Sequence, residues 1–118
     1  LNALNSGQSE EAIVKFTTVL SKFPKHKLAG NAQYWMGEAY YAKKDYAKAA
    51  VAFAKGFEQY KNGTKGADNL LKLGMSMEQL NKKDEACAAY TSLPKEFPKA
   101  EKTIKDKAAK AASKLKCK

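Results

Sequence analysis

The sequence predicts an all-α chain, a solenoid of antiparallel helix pairs closed by a capping helix. Three observations predict it. In composition, 20 Ala and 10 Leu stand against 3 Val, 2 Ile and 5 Thr, so side chains that keep rotamer freedom in a helix outnumber those that favour strands. A repeat runs through the chain: Ala12, Ala49 and Ala86 are 37 residues apart, and so are Phe16, Phe53 and Tyr90. Each aromatic follows its alanine by four residues and so shares its helical face. Each of the 3 prolines lies near the end of an apolar-periodic segment, where helices stop. At 118 residues the chain is long enough for one core and one domain.

The same step links Gly37 to Gly74, Met36 to Leu73 and Tyr40 to Met77, and it links Pro24 to Pro98 across two periods, with Lys61 in the middle proline position. Small residues at Gly37, Gly74, Ala49 and Ala86 let paired helices approach, and Phe16, Phe53 and Tyr90 fill the space beside them. Each pair leaves an apolar face that the next pair must cover. The expected units are a partial first repeat over 1–24, full repeats over 28–61 and 65–98, and a capping helix over 99–118. The expected elements are a residual helix ending near Ser6-Gly7, then helices at about 9–23, 29–43, 46–60, 66–81, 84–97 and 99–116. Turn formers cluster in Pro24 to Gly30 and Lys61 to Gly66, the turns expected to be long. Asp45 and Asp84 are placed as N-caps or first-turn acids. Pro94 is expected to kink or break its helix near Ser92.

Charge is basic and uneven. All 22 cationic side chains are Lys, against 12 acids, for a net +10, and Pro94 to Lys118 holds nine Lys and three acids. Lys cannot imitate the bidentate guanidinium fork, so the lack of Arg counts against specific nucleic-acid recognition. In the last segment Ala100, Ile104, Ala108, Ala111 and Leu115 form a narrow apolar stripe with Lys on the other sides. That stripe predicts a solvating cap; the rival is a lysine tail on a nucleic acid or anionic surface. No apolar run approaches the roughly 20 residues that span a bilayer.

The order large-Gly-x-x-Tyr, Ala-x-x-x-Phe, then Pro resembles the tetratricopeptide repeat, a right-handed stack of helix pairs, with three residues added to each unit. More particularly, AQYWMGEAYYAKKDYAKA, then FAK and ADNLLKLGMSMEQLNKKDEACAAY, resembles the C-terminal tetratricopeptide domain of the YbgF (CpoB) family of the Tol-Pal system. The likeness covers essentially the whole chain and departs from the family pattern at Lys61 and in the lysine-heavy cap. It implies a periplasmic adaptor without enzymatic activity that binds TolA and helps coordinate peptidoglycan synthesis with outer-membrane constriction at division. It further implies a longer protein, with a signal sequence and a trimerising coiled coil ahead of this segment, and a peptidoglycan synthase among the partners. The opening Leu1-Asn2-Ala3-Leu4, which resembles the last turn of a helix, accords with such a fragment.

Cys87 falls in the second helix of the last repeat and Cys117 near the end of the cap. A cap folding back antiparallel would bring them together as a disulfide, suited to an oxidising periplasm; the alternative is two separate thiols. No metal site is expected, because the lone His26 is the only other soft ligand and sits among lysines in a turn. No cofactor is expected either. No His pairs with Cys or Ser at a catalytic spacing, and no Gly-rich phosphate loop precedes a helix.

In a right-handed stack the first helices line the concave side. The positions facing outward there are Asn31, Tyr34, Glu38 and Tyr41 in one repeat, and Asp68, Leu71, Met75 and Glu78 in the next. Leu4 and Asn5 would continue the row. Trp35, Tyr40, Phe53 and Tyr46 are expected in the core, whereas Tyr34 and Tyr41, flanked by Leu71 and Met75, give the aromatic and Met-rich composition of an interface. The expected activity is protein binding in that groove. A basic module on nucleic acid or another anionic polymer, and a purely structural scaffold, stay open as alternatives.

Overall fold

A computed structural model describes residues 6–118, the side chain of Ser6 excepted. Leu4 and Asn5 lie outside the described residues. The elements are α1 (Ser6–Lys22), α2 (Ala29–Ala42), α3 (Tyr46–Gln59), α4 (Gly66–Gln79), α5 (Lys83–Glu96) and α6 (Lys102–Lys114), with no strand among the described residues. Each helix packs on the next, and α4 also meets α2 and α6, so the chain is a helical-repeat solenoid.

Phe53 is fully buried, and a β-carbon on Gly37 would lie 2.5 Å from its ring; the same 2.5 Å separates Gly74 from the ring of buried Tyr90. The missing side chains bring α2 close to α3 and α4 close to α5. The two long turns are also copies of one another. His26 and Gly63 donate their N–H groups to the carbonyls of Phe23 and Tyr60, and Ala29 and Gly66 donate to those of His26 and Gly63. Lys61, in the position Pro24 holds one repeat earlier, leaves that bonding intact. Its ammonium pairs with Glu96 and lies 5.8 Å from the rings of both Phe57 and Phe97.

The short turns repeat as well. Lys44 and Asn81 take left-handed backbone, φ 65° and 59°, and the next N–H in each case reaches back to the helix just ended, Asp45 to Tyr40 and Lys82 to Met77. Asp45 then caps α3, accepting from the Lys48 N–H at 3.3 Å. Asp84 is a first-turn acid of α5. A third left-handed residue, Lys116 with φ 58°, turns the chain after α6 so that the Cys117 N–H reaches the Ala112 carbonyl. That turn returns Cys117 towards α5, where it is joined to Cys87 with a Cα–Cα distance of 5.5 Å. Leu70, Leu71, Ala86, Ala89, Tyr90, Leu93 and Ala108 form the core beneath α6.

Three expectations are corrected. Ser6 and Gly7 do not end a helix but lie within α1, which runs on unbroken to Lys22. The helix containing Pro94 does not break near Ser92 but runs on to Glu96, with Ala89, Tyr90 and Leu93 of the preceding turn held in the core. The last helix begins at Lys102, not Lys99: the Ala100 N–H closes a turn onto Phe97, which leaves Ala100 outside the stripe of α6.

Candidate functional site

The seam between α2 and α4 carries most of the groove positions. Asn31 accepts a hydrogen bond from the Thr64 hydroxyl at 2.8 Å, across the turn that leads into α4. Glu38 accepts an ion pair from Lys72 of α4 at 3.1 Å, and the same ammonium lies 5.7 Å from the ring of Tyr41. Tyr41 also meets Tyr46 edge to face at 5.0 Å and hydrogen-bonds Gln79. Burial raises the Tyr41 phenol above its ordinary range. Asp68 stands in the first turn of α4, close enough for its charge to act on Tyr34.

Not every expected groove residue opens onto that face. Tyr34 is only 7% exposed: its ring lies 5.9 Å from Phe53 on one side and 4.9 Å from the Lys65 ammonium on another. Trp35, expected in the core, is half-buried instead. Trp35 still packs against the cluster of Tyr34, Ala49 and Phe53, at its edge, and Tyr34 lies deeper. Tyr40 and Tyr46 are likewise half-buried. Leu71 is 6% exposed and belongs to the core beneath α6, and Met75 packs against that core. Glu78 accepts the hydroxyl of Tyr90 from α5 and so turns partly inward.

Burial above all, then the charges of Glu38 and Asp68, push the Tyr34 phenol far above its ordinary range; burial and the Glu78 contact do the same to Tyr90. Both phenols therefore keep their protons to higher pH than an exposed tyrosine would. Lys65, Lys72 and Gln79 escaped the sequence reading.

The tetratricopeptide repeat pattern matches residues 31–62 and 68–100. The chain belongs to the tetratricopeptide repeat family. The two matched units take in all but the first two residues of α2 and of α4, with the whole of α3 and α5, the pairs closed by Gly37 on Phe53 and Gly74 on Tyr90. The tetratricopeptide repeat is a protein-interaction fold, so the α2–α4 seam is a candidate surface for a protein partner. No curated protein matches the chain. Among the described residues no three His, Cys, Asp or Glu side chains are grouped to hold a metal ion, and no helix is long and apolar enough to cross a membrane.

Proposed function

We propose that this tetratricopeptide domain is a periplasmic adaptor of the Tol-Pal cell-envelope system that holds a segment of TolA along the α2–α4 face. The reading rests most on the seam itself: Asn31, Glu38, Tyr41, Asp68 and Met75 stand on two adjacent helices with aromatic, apolar and charged groups interleaved, as interfaces require. The Cys87–Cys117 bond supports the compartment, since such bonds persist where the surroundings are oxidising. The link to TolA, to a peptidoglycan synthase and to a trimer formed by a preceding coiled coil comes from the sequence resemblance to the YbgF family. In this reading Tyr41 and Met75 bury apolar groups of the partner, Asn31, Glu38, Asp68 and Glu78 fix its register, and Tyr34 and Leu71 support the face from below.

Isothermal titration with the periplasmic region of TolA tests it. Saturable binding that changes little with salt, and weakens by ~1 to 2 kcal/mol in Tyr41→Ala, is the expected result. Wild-type protein that gives no heat, and no binding by an independent probe, overturns the adaptor reading.

A second reading has one observation in its favour. Lys107, Lys110 and Lys114 recur on the exposed side of α6 at steps of three and four. Binding to an anionic polymer through that row would fall steeply with added salt.

A further inference from the structure

The Lys65 ammonium lies 4.9 Å from the centroid of Tyr34 and 5.6 Å from that of Trp35. The two rings meet edge to face, 5.2 Å apart and inclined at 79°. Among the described residues no carboxylate comes within 4.0 Å of that ammonium, so the rings are what hold it. Acids nevertheless set the local field: the charge of Asp68 acts on Tyr34, and so does that of Glu38, which is itself paired with Lys72. Electron-rich ring faces with acidic neighbours attract cations at this distance. Lys72 of α4 lies over Tyr41 as well, though Glu38 also holds it. The α2 side of the seam is thus a row of aromatic acceptors, filled from within by lysines that lead into or belong to α4.

We infer that the Tyr34–Trp35 ring pair is a cation seat that receives a lysine side chain of the bound partner segment in place of Lys65. Lys65 sits at the start of α4 on a flexible four-carbon stem, so it can leave without moving a helix. Its departure uncovers the face of Tyr34 and adds to the half-exposed surface of Trp35. The incoming ammonium meets the same rings and the same field from Glu38 and Asp68, and the positive charge concentrated in Pro94 to Lys118 lies on other elements. This inference rests on the partner-binding reading of the α2–α4 face.

Trp35 is the only tryptophan, so its fluorescence reports the seat directly. The probe is tetramethylammonium chloride, titrated against sodium chloride at matched ionic strength. In Lys65→Ala the seat is vacant, and a saturable change in Trp35 emission is expected at about tenfold lower tetramethylammonium than in wild type. Adding Asp68→Asn to that variant should weaken the response several-fold, and circular dichroism checks that both variants keep their helices. A linear response in Lys65→Ala, or an equal one to sodium chloride, overturns the seat. The TolA titration is scored separately. TolA binding without a saturable fluorescence change leaves the adaptor reading standing and the seat refuted; the reverse result refutes TolA as partner and keeps the seat.

Discussion

The ring of Phe53 occupies the space that a β-carbon on Gly37 would need, the two being 2.5 Å apart, and Tyr90 stands in the same relation to Gly74 one repeat later. Both rings are rigid and buried, so neither can retreat as the end of a flexible chain would. Gly37→Ala is expected to lower stability by ~1 to 3 kcal/mol even though alanine is the better helix former. Urea denaturation measures it. An unchanged or raised midpoint would show that the ring has room to move.

Contacts that repeat every 37 residues were legible in the sequence because each is written two or three times. The Ala12, Ala49, Ala86 ladder, the aromatic four residues on, and the paired long turns all carry such copies. What was not legible belongs to one place in the chain only. Tyr34 and Trp35 are neighbours about 100° apart on one helix, and pattern alone cannot say which turns inward. That choice is made by Phe53, 19 residues away, and by Lys65, 31 residues away from Tyr34. Glu38 pairing with Lys72, and Glu78 with Tyr90, are likewise single long-range contacts without a copy to betray them. Pro94 was misjudged for a different reason: its lost hydrogen bond and ring clash fall on the turn before it, and that turn is held by the buried Ala89, Tyr90 and Leu93, a packing that pattern does not show.

Lys44 holds a left-handed backbone, φ 65°, in the turn between α2 and α3, where Asn81 stands in the equivalent turn of the next repeat. A β-carbon costs roughly 1 to 2 kcal/mol in that conformation, and glycine avoids most of it while gaining freedom in the unfolded chain. Lys44→Gly is therefore expected to raise stability by about 0.5 to 1 kcal/mol, whereas Lys44→Val should lower it. Thermal unfolding of the two variants beside wild type decides; a loss on Lys44→Gly would mean that the lysine makes a contact that matters more than the strain.

Cys117 returns to α5 only because Lys116 turns the chain, and the bond to Cys87 closes a loop of 30 residues over α6. On the loop-entropy account such a closure contributes ~3 to 4 kcal/mol, mainly by restricting the unfolded chain. Reduction, or Cys117→Ser, should lower the urea midpoint accordingly while far-ultraviolet circular dichroism of the native protein stays the same, since Ala108 and Leu115 still pack on the core. A drop in native helicity would instead mean that the bond, not the packing, holds α6 in place.

Alkaline unfolding should depend on the buried tyrosines. Tyr90 is held above its ordinary range first by burial and then by Glu78, and Tyr34 by burial and then by Glu38 and Asp68. In the unfolded chain each phenol loses its proton near pH ~10. Below that pH both states keep the proton, and these groups leave stability independent of pH. Above it the unfolded chain binds fewer protons than the folded one, so stability falls as pH rises, by about 1.4 kcal/mol per pH unit for each such tyrosine. Lysines titrate in the same range, so the comparison that isolates the effect is Tyr90→Phe against wild type. The variant loses a hydrogen bond to Glu78 and should be less stable at pH 7 by ~1 to 3 kcal/mol, yet its stability should decline less steeply between about pH 10 and pH 12. Parallel declines in the two proteins would mean that the Tyr90 hydroxyl ionises as readily folded as unfolded, and that Glu78 does not hold its proton.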